Sequence, residues 1–406
     1  MSTKNDNKWA NQIPKSIVTT KGDIITATAN ATPVKQGVGS NGQIIVGDSN
    51  LANGLGYKDP AFRNWVINGN FDIAQRGTSF TNPATQTYTL DRFKIQCDFY
   101  GGTPPNIIHS QQQLTPGELD GSKYFYRVNV DGAGSSFGDA TYYPLLQNIE
   151  HGIQKLSGVG KKVTVLFMAR SSIVNIVNKR IGVMLYNSYG TGGSPSADEG
   201  ITGNNWTLTS DWALYHHTFE MNTLSGKTFG TNNDDDVGLQ FYLAWGSSRA
   251  YHVNAETAET FVGAGNIDIA QVALYAGDVA YPFEPVPYDI ELQRCMRYYE
   301  KSYDYGVYAG ATNLSGCCMG RAMDINYCDV DRTTFKAIKR ISPTVNIYNG
   351  VTGTLNSVSD FSTGSNVALS RYGYQNDRQA CGYLYSAGGF TAGHTYLFHY
   401  TADADF

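Results

Sequence analysis

Residues 214–245 read LYHHTFEMNTLSGKTFGTNNDDDVGLQFYLAW. Residues 214–221 alternate, residues 237–245 form an apolar run, and the Gly/Asn/Asp-rich stretch 230–236 lies between them. Alternation sends successive side chains to opposite faces of a strand, and Gly/Asn clusters supply the turns. Working outward, comparable segments recur at 123–130, 162–169, 181–186 and 267–275, with another Gly/Ser-rich turn at 190–196. No helical period intervenes. The pattern predicts an all-β protein whose large domain is a β-sandwich or jelly roll, and not an α/β sheet.

Composition agrees. A chain of 406 residues predicts two or three domains. Only 16% of residues are charged, against roughly 25% in average proteins. Forty-four Gly and 28 Tyr fill the deficit. With 30 Lys+Arg against 35 Asp+Glu, the chain lacks the excess of basic groups that sequence-independent nucleic-acid binding requires. A content of 41% hydrophobic and 13% aromatic residues excludes a disordered chain. The charge is uneven. Residues 1–60 carry +2 and residues 291–406 are neutral, which leaves −7 on the middle of the chain.

The N-terminus, MSTKNDNKWANQIPKS, has no apolar core of a secretory signal. No run reaches the 18 or so apolar residues that span a bilayer. The expectation is a chain made in a cytoplasm, soluble and without membrane insertion. Cys97, Cys295, Cys317, Cys318, Cys328 and Cys381 show no CxxC or Cys/His spacing, which predicts free thiols and no structural zinc.

Residues 1–60 hold only short apolar groups (Ile24-Ile25, Ile44-Ile45-Val46) among Gly, Asn and Thr. Such a segment cannot offset its chain entropy alone and reads as an extended arm that needs a partner or copies of itself. Residues 61–287 read as the large jelly-roll domain. Pro282, Pro285 and Pro287 end it, because proline cannot donate to a ladder. Asp289 is a candidate N-cap. Leu292, Cys295, Met296, Tyr299 and Tyr303 follow at spacings of three and four, which predicts a connector helix over 288–305. Its stripe (Leu292, Met296, Tyr299, Tyr303) is a candidate contact with a domain or a second copy. Short strands resume at 336–339, 344–348, 380–385 and 395–400, as a smaller C-terminal β-sandwich over 306–406.

Candidate chemistry is sparse. His216 and His217 are adjacent in a strand, so they face opposite ways and cannot chelate one metal. The run 232–236 lacks the spacing and glutamate of a calcium loop, and reads as a solvated acidic turn. A glycosidase needs two carboxylates across a cleft. Asp98, Glu118, Asp211 and Glu220 are the available candidates, with nothing in the sequence to pair them. No nucleophile elbow, phosphate loop or zinc-protease motif is present, so no enzyme, cofactor or metal is expected.

Three segments carry a resemblance. The first is 64–77, NWVINGNFDIAQRG, followed by Asp91-Arg92-Phe93. The second is 271–284, QVALYAGDVAYPFE, with 291–302, ELQRCMRYYEKS. The third is 335–348 with the ending His399-Tyr400-Thr401-Ala402-Asp403-Ala404. In this order they resemble bacteriophage tail-fibre proteins. Residues 19–55 are similar to a short repeat of phage fibre shafts. Together these segments cover about half of the chain, and residues 100–265 carry none of them. The resemblance implies a virion structural protein assembled in the bacterial cytoplasm, usually a homotrimer, with carbohydrate-binding-like jelly rolls. The first and last strands of the large domain should then be neighbours.

On that footing residues 1–60 attach to another virion protein and the C-terminal domain meets the host surface, with glycan as its partner. Tyrosine rings stack on sugars and order at low entropic cost. Tyr305, Tyr308, Tyr372 and Tyr374 lie beside Gly, Asn or Arg in expected loops and are the candidate contacts. The alternatives are a head or baseplate fibre without an essential receptor, and a capsular depolymerase, which the absent catalytic motifs disfavour.

Overall fold

The computed structural model describes residues 15–30, 32–39, 43–58, 63–173, 179–330 and 333–406. Residues 1–14 of the predicted attachment arm lie outside them. The chain forms two compact units, Met1–Arg63 and Asn64–Phe406.

The first unit pairs β1 (Ile24–Ala29) with β2 (Thr32–Gln36), and β3 (Ile44–Gly47) with β4 (Leu55–Lys58). Asp23 ties the first turn by accepting from the Thr19 and Thr20 amides at 2.8 and 2.7 Å. Gly56 is the sole buried residue among those whose burial is described. Among the described residues the two hairpins bury no apolar side chain, and they are paired strands where the sequence reads as an extended arm.

The second unit begins with β5 (Ser79–Thr81), β6 (Thr87–Tyr88), β7 (Lys94–Ile95), β8 (Ile107–Gln113), β9 (Tyr124–Val130) and β10 (Tyr142–Glu150). The short helix α1 (Gly152–Leu156) follows, then β11 (Lys162–Ser171), β12 (Arg180–Ser188), β13 (Glu199–Thr207), β14 (Ala213–Glu220), β15 (Asp236–Trp245) and β16 (Gly265–Ala276). They form two six-stranded sheets, ordered β13-β12-β15-β10-β7-β6 and β14-β11-β16-β9-β8-β5. Every pairing is antiparallel. The chain passes repeatedly from sheet to sheet, as in a jelly roll. Alternation does the sorting: β15 turns Val237, Leu239, Phe241 and Leu243 into the core. Phe167 of β11 meets Phe241 edge-on at 5.0 Å across the sandwich.

The opening segment lies along the closing strand, as the resemblance implies. The Trp65 amide donates to Leu274 O at 3.0 Å, and Asn64 Oδ1 accepts from the Leu274 amide at 3.0 Å.

Helix α2 (Tyr288–Met296) is shorter than the predicted 288–305. Pro287, not Asp289, precedes its first turn, and Asp289 sits within that turn, where a carboxylate favours the helix dipole. The helix stops because the following residues are claimed by a sheet. Tyr299–Lys301 form β17 against Asp403–Thr401. Tertiary pairing overrides the helical spacing of Tyr299 and Tyr303.

The C-terminal strands are β18 (Cys318–Ala322), β19 (Tyr327–Val330), β20 (Thr344–Asn349), β21 (Ser357–Asp360), β22 (Asn366–Ala368), β23 (Arg371–Gly373), β24 (Tyr383–Tyr385) and β25 (Thr395–Asp403). They hydrogen-bond as one network in the order β22-β21-β25-β18-β19-β24-β23, with β17 and β20 also on β25. Strand β25 changes partners along its length. Its first half pairs with β18 and β21, and its second half with β17 and β20. One core, including Val330, Ile347, Leu384, Phe398 and Tyr400, serves both halves. Residues 336–339, expected as a strand, form none. Lys339 is instead drawn inward to Glu300 at 2.6 Å.

Candidate functional site

The residues that carry the fibre resemblance are spent inside the molecule, at the joint between the sandwich and the C-terminal fold. Asn68 is buried with φ 60°, donates to Ile73 O and Asp91 O at 2.8 and 3.0 Å, and holds the 68–73 turn. At Gly69 any Cβ would strike the Val272 carbonyl oxygen. Gln75 binds both oxygens of buried Asp91, at 2.6 and 2.7 Å. Arg92 is buried, pairs with Asp405 and stacks 3.4 Å over Tyr298. Arg76 pairs with Asp403 and Asp405, each at 2.9 Å, over the Tyr299 ring. Lys301 donates to the carbonyls of Gln75, Tyr305 and Val307, and burial lowers it to about 8.

The predicted contact stripe belongs to this joint. Met296, Tyr299 and Tyr303 are buried within the chain, and Leu292 is half-buried. Tyr303 lies flat on His399 at 3.7 Å. These side chains leave little surface for a second copy.

The four predicted surface tyrosines are not brought together. The Tyr305 hydroxyl accepts from the Ala74 amide at 2.7 Å and donates to Asp72 O at 3.1 Å, which pins it to the joint. Tyr308 lies beneath Lys301 Nζ at 5.1 Å. Tyr372 donates to Val345 O at 2.5 Å and packs on the C-terminal core. Tyr374 alone of the four is broadly presented, at 73% exposure.

Tyr374 belongs to a cluster that the sequence reading did not single out. Strands β19, β24 and β23 turn Cys328, Val330 and Leu384 inward. Their alternates, Tyr327, Asp329, Tyr383, Tyr385 and Arg371, therefore share the outer face, in the registers Tyr327↔Tyr385↔Arg371 and Asp329↔Tyr383. Tyr383 meets Tyr374 at 5.1 Å and Tyr327 at 6.0 Å, and Tyr327 meets Tyr385 at 5.0 Å. Arg371 lies 4.4 Å over Tyr385 and donates to the Tyr327 hydroxyl at 3.2 Å. Gly373 leaves room for the Tyr383 ring, which a Cβ there would displace. Tyr374 has φ 65°, an uncommon backbone for a bulky residue, and its carbonyl accepts from Gln379 Nε2 at 2.5 Å. Among the described residues the hydroxyls of Tyr374, Tyr383 and Tyr385 make no hydrogen bond within the chain. Among the same residues Arg371 makes no ion pair. The face can stack on flat apolar surfaces and offer hydroxyl and guanidinium donors beside them. The signal was present in Tyr383-Leu384-Tyr385: once Leu384 is inward, both tyrosines must face out.

The other candidates are accounted for locally. His216 is exposed, and His217 meets Phe219 edge-on at 4.7 Å. In the acidic turn, Asp234 accepts from Thr191, Asp235 from His151 and Asp236 from Asn148, so the carboxylates diverge. Glu118 binds Arg170 and Trp212, Asp98 caps the Tyr100 amide, and Glu220 faces Lys162 at 3.7 Å. Asp211 is exposed. The cysteines are unpaired, with Cys295, Cys328 and Cys381 buried.

No family model matches the chain, and no curated protein matches it. Solved structures do. One described as "CBM4 structure and function" is 16% identical, with 52% of this chain and 98% of that one covered, at a TM-score of 0.28. The N-terminal cellulose-binding domain of a β-1,4-glucanase C from Cellulomonas fimi is 17% identical over 41% of this chain and 88% of its own, at 0.25. A CBM22-1–CBM22-2 tandem domain from Paenibacillus barcinonensis Xyn10C is 7% identical over 81% and 92%, at 0.26. At these TM-scores the likenesses carry no argument about a ligand.

Proposed function

We propose that the chain is a bacteriophage virion fibre protein that binds host-surface glycan through its C-terminal fold. The observation that carries the binding reading is the outer tyrosine face of Tyr327, Tyr374, Tyr383, Tyr385 and Arg371. Rigid aromatic rings with free hydroxyls suit sugar rings, which present an apolar face and an equatorial rim of hydroxyls. The fibre reading rests on the order of the resembling segments and on the N-terminal unit. Residues 1–60 attach to another virion protein. Ile25, Val38, Ile45 and Leu51 stand exposed there, and assembly as a homotrimer gives such side chains something to bury against. The reading assigns binding without turnover.

The test is adsorption and assembly. Full-length chain in excess should block adsorption of the phage that carries it. A chain starting at Asn64 should fold and still block adsorption, yet fail to enter particles. Undiminished adsorption, or loss of folding on that truncation, overturns the reading.

A further inference from the structure

A second surface, on the large sandwich, is built like a site of its own. With Leu239 and Phe241 of β15 inward, Gln240 and Tyr242 face out; with Val183 and Leu185 of β12 inward, Met184 and Tyr186 face out. The 3-10 helix Ser247–Val253 packs Ala250 and Val253 on Met184, Tyr242 and Trp245, and so raises a wall beside the sheet. From that wall Arg249 and His252 join Gln96 and Tyr142 to enclose a cavity of about 260 Å³ over the sheet face.

Most of the polar groups here lack partners, the Tyr186 hydroxyl excepted. Among the described residues the side chains of Gln96, Gln240 and Arg249 make no hydrogen bond, nor do the Tyr142 and Tyr242 hydroxyls. His252 Nε2 is buried and unpartnered, although its ring is stacked on Tyr251 at 4.1 Å. Arg249 lies 5.3 Å over the Tyr142 ring and makes no ion pair among the described residues. Single unpartnered buried atoms also occur elsewhere, at Arg76 Nη1, Arg92 Nε and Ser359 Oγ among others, but Arg76 and Arg92 there have carboxylate partners through their other nitrogens. Asp198 accepts from the Tyr186 hydroxyl at 2.9 Å. A concave site with ring faces, two free amides and one unpaired guanidinium points to a ligand with many hydroxyls and a carboxylate for that guanidinium. The net charge of −7 on the middle of the chain disfavours a dense polyanion such as nucleic acid.

We propose that this groove binds an acidic saccharide, with one uronate carboxylate at Arg249, its hydroxyls at Gln96 and Gln240, and its ring against Tyr142 and Tyr186. This does not rest on the fibre reading and uses a different face from the tyrosine cluster. The test is calorimetric titration of the full chain with tetrasaccharides of galacturonate, glucuronate and mannuronate, each beside its methyl ester. At least one acid should bind, and its ester at least about tenfold more weakly. Arg249→Gln should abolish the preference for the acid, and Gln240→Ala should weaken binding, with thermal midpoints unchanged. The double variant Tyr374→Ala/Tyr385→Ala should bind the acid as wild type does. Failure of all three acids, equal binding of acid and ester, or unchanged affinity in Arg249→Gln overturns the proposal.

Discussion

His109 is buried in a chain of side-chain hydrogen bonds. Tyr126 Oη lies 2.7 Å from Thr89 Oγ1 and 2.9 Å from His109 Nδ1, and His109 Nε2 lies 2.7 Å from Tyr143 Oη. No carboxylate faces the ring, so burial holds it neutral and lowers its pKa to about 3. The unfolded chain takes up this proton near pH 6.5, and the folded one does not. The stability this ring secures is therefore present above pH 6.5 and lost as pH falls toward 3. At about 1.4 kcal/mol per pH unit, the loss between pH 6.5 and 4.5 is about 2–3 kcal/mol. In urea unfolding, the stability difference between wild type and His109→Gln should shrink by that amount over this interval. A difference that stays constant contradicts the assignment. None of this was legible beforehand: the segment around His109, IIHSQQQ, shows no alternation, and the hydroxyls that bond its ring come from two other strands, Tyr126 of β9 and Tyr143 of β10. Asn68-Gly69 was legible as a turn, because its constraint is local. Its packing on Val272, some 200 residues away, was not.

At the scale of elements, the strands of the sandwich were readable because each obeys a period of two against a single core. Helix α2 and the segment 336–339 show where that reading stops. Strand β17 and Lys339 take their conformations from β25 and Glu300, which no local pattern announces. The Lys339–Glu300 pair is fully buried on both sides. Glu300 also accepts from the Lys336 amide at 3.0 Å and the Tyr400 hydroxyl at 3.1 Å, so one carboxylate ties three segments together. Removing one partner leaves an uncompensated charge, whereas replacing both with apolar groups does not. Lys339→Met should therefore cost about 3–5 kcal/mol. The double variant Lys339→Met/Glu300→Leu should recover most of it in thermal or urea unfolding. A double variant as unstable as the single one would show that the bonds of Glu300 to Lys336 and Tyr400 dominate.

For the whole molecule, the sparse charge has a location. The N-terminal unit has hairpins that, among the described residues, bury no apolar side chain. The sandwich carries the negative charge. The C-terminal fold is neutral, with ten basic and ten acidic groups over residues 291–406. The resembling segments, legible as motifs, serve the joint between the last two. The face that carries the binding reading was legible only as a local density of tyrosine, since loop position failed to separate Tyr305 and Tyr372 from Tyr374. Binding by a neutral face should depend on stacking and hydrogen bonds and respond weakly to salt. The most direct measurement is binding of the full chain to an array of bacterial surface glycans at low and high salt, alongside Tyr374→Ala and Tyr385→Ala. At least one glycan should bind with little salt dependence, and each substitution should weaken it by about tenfold, or about 1.4 kcal/mol. Absence of any bound glycan, or binding that both substitutions leave intact, would contradict glycan recognition by this face.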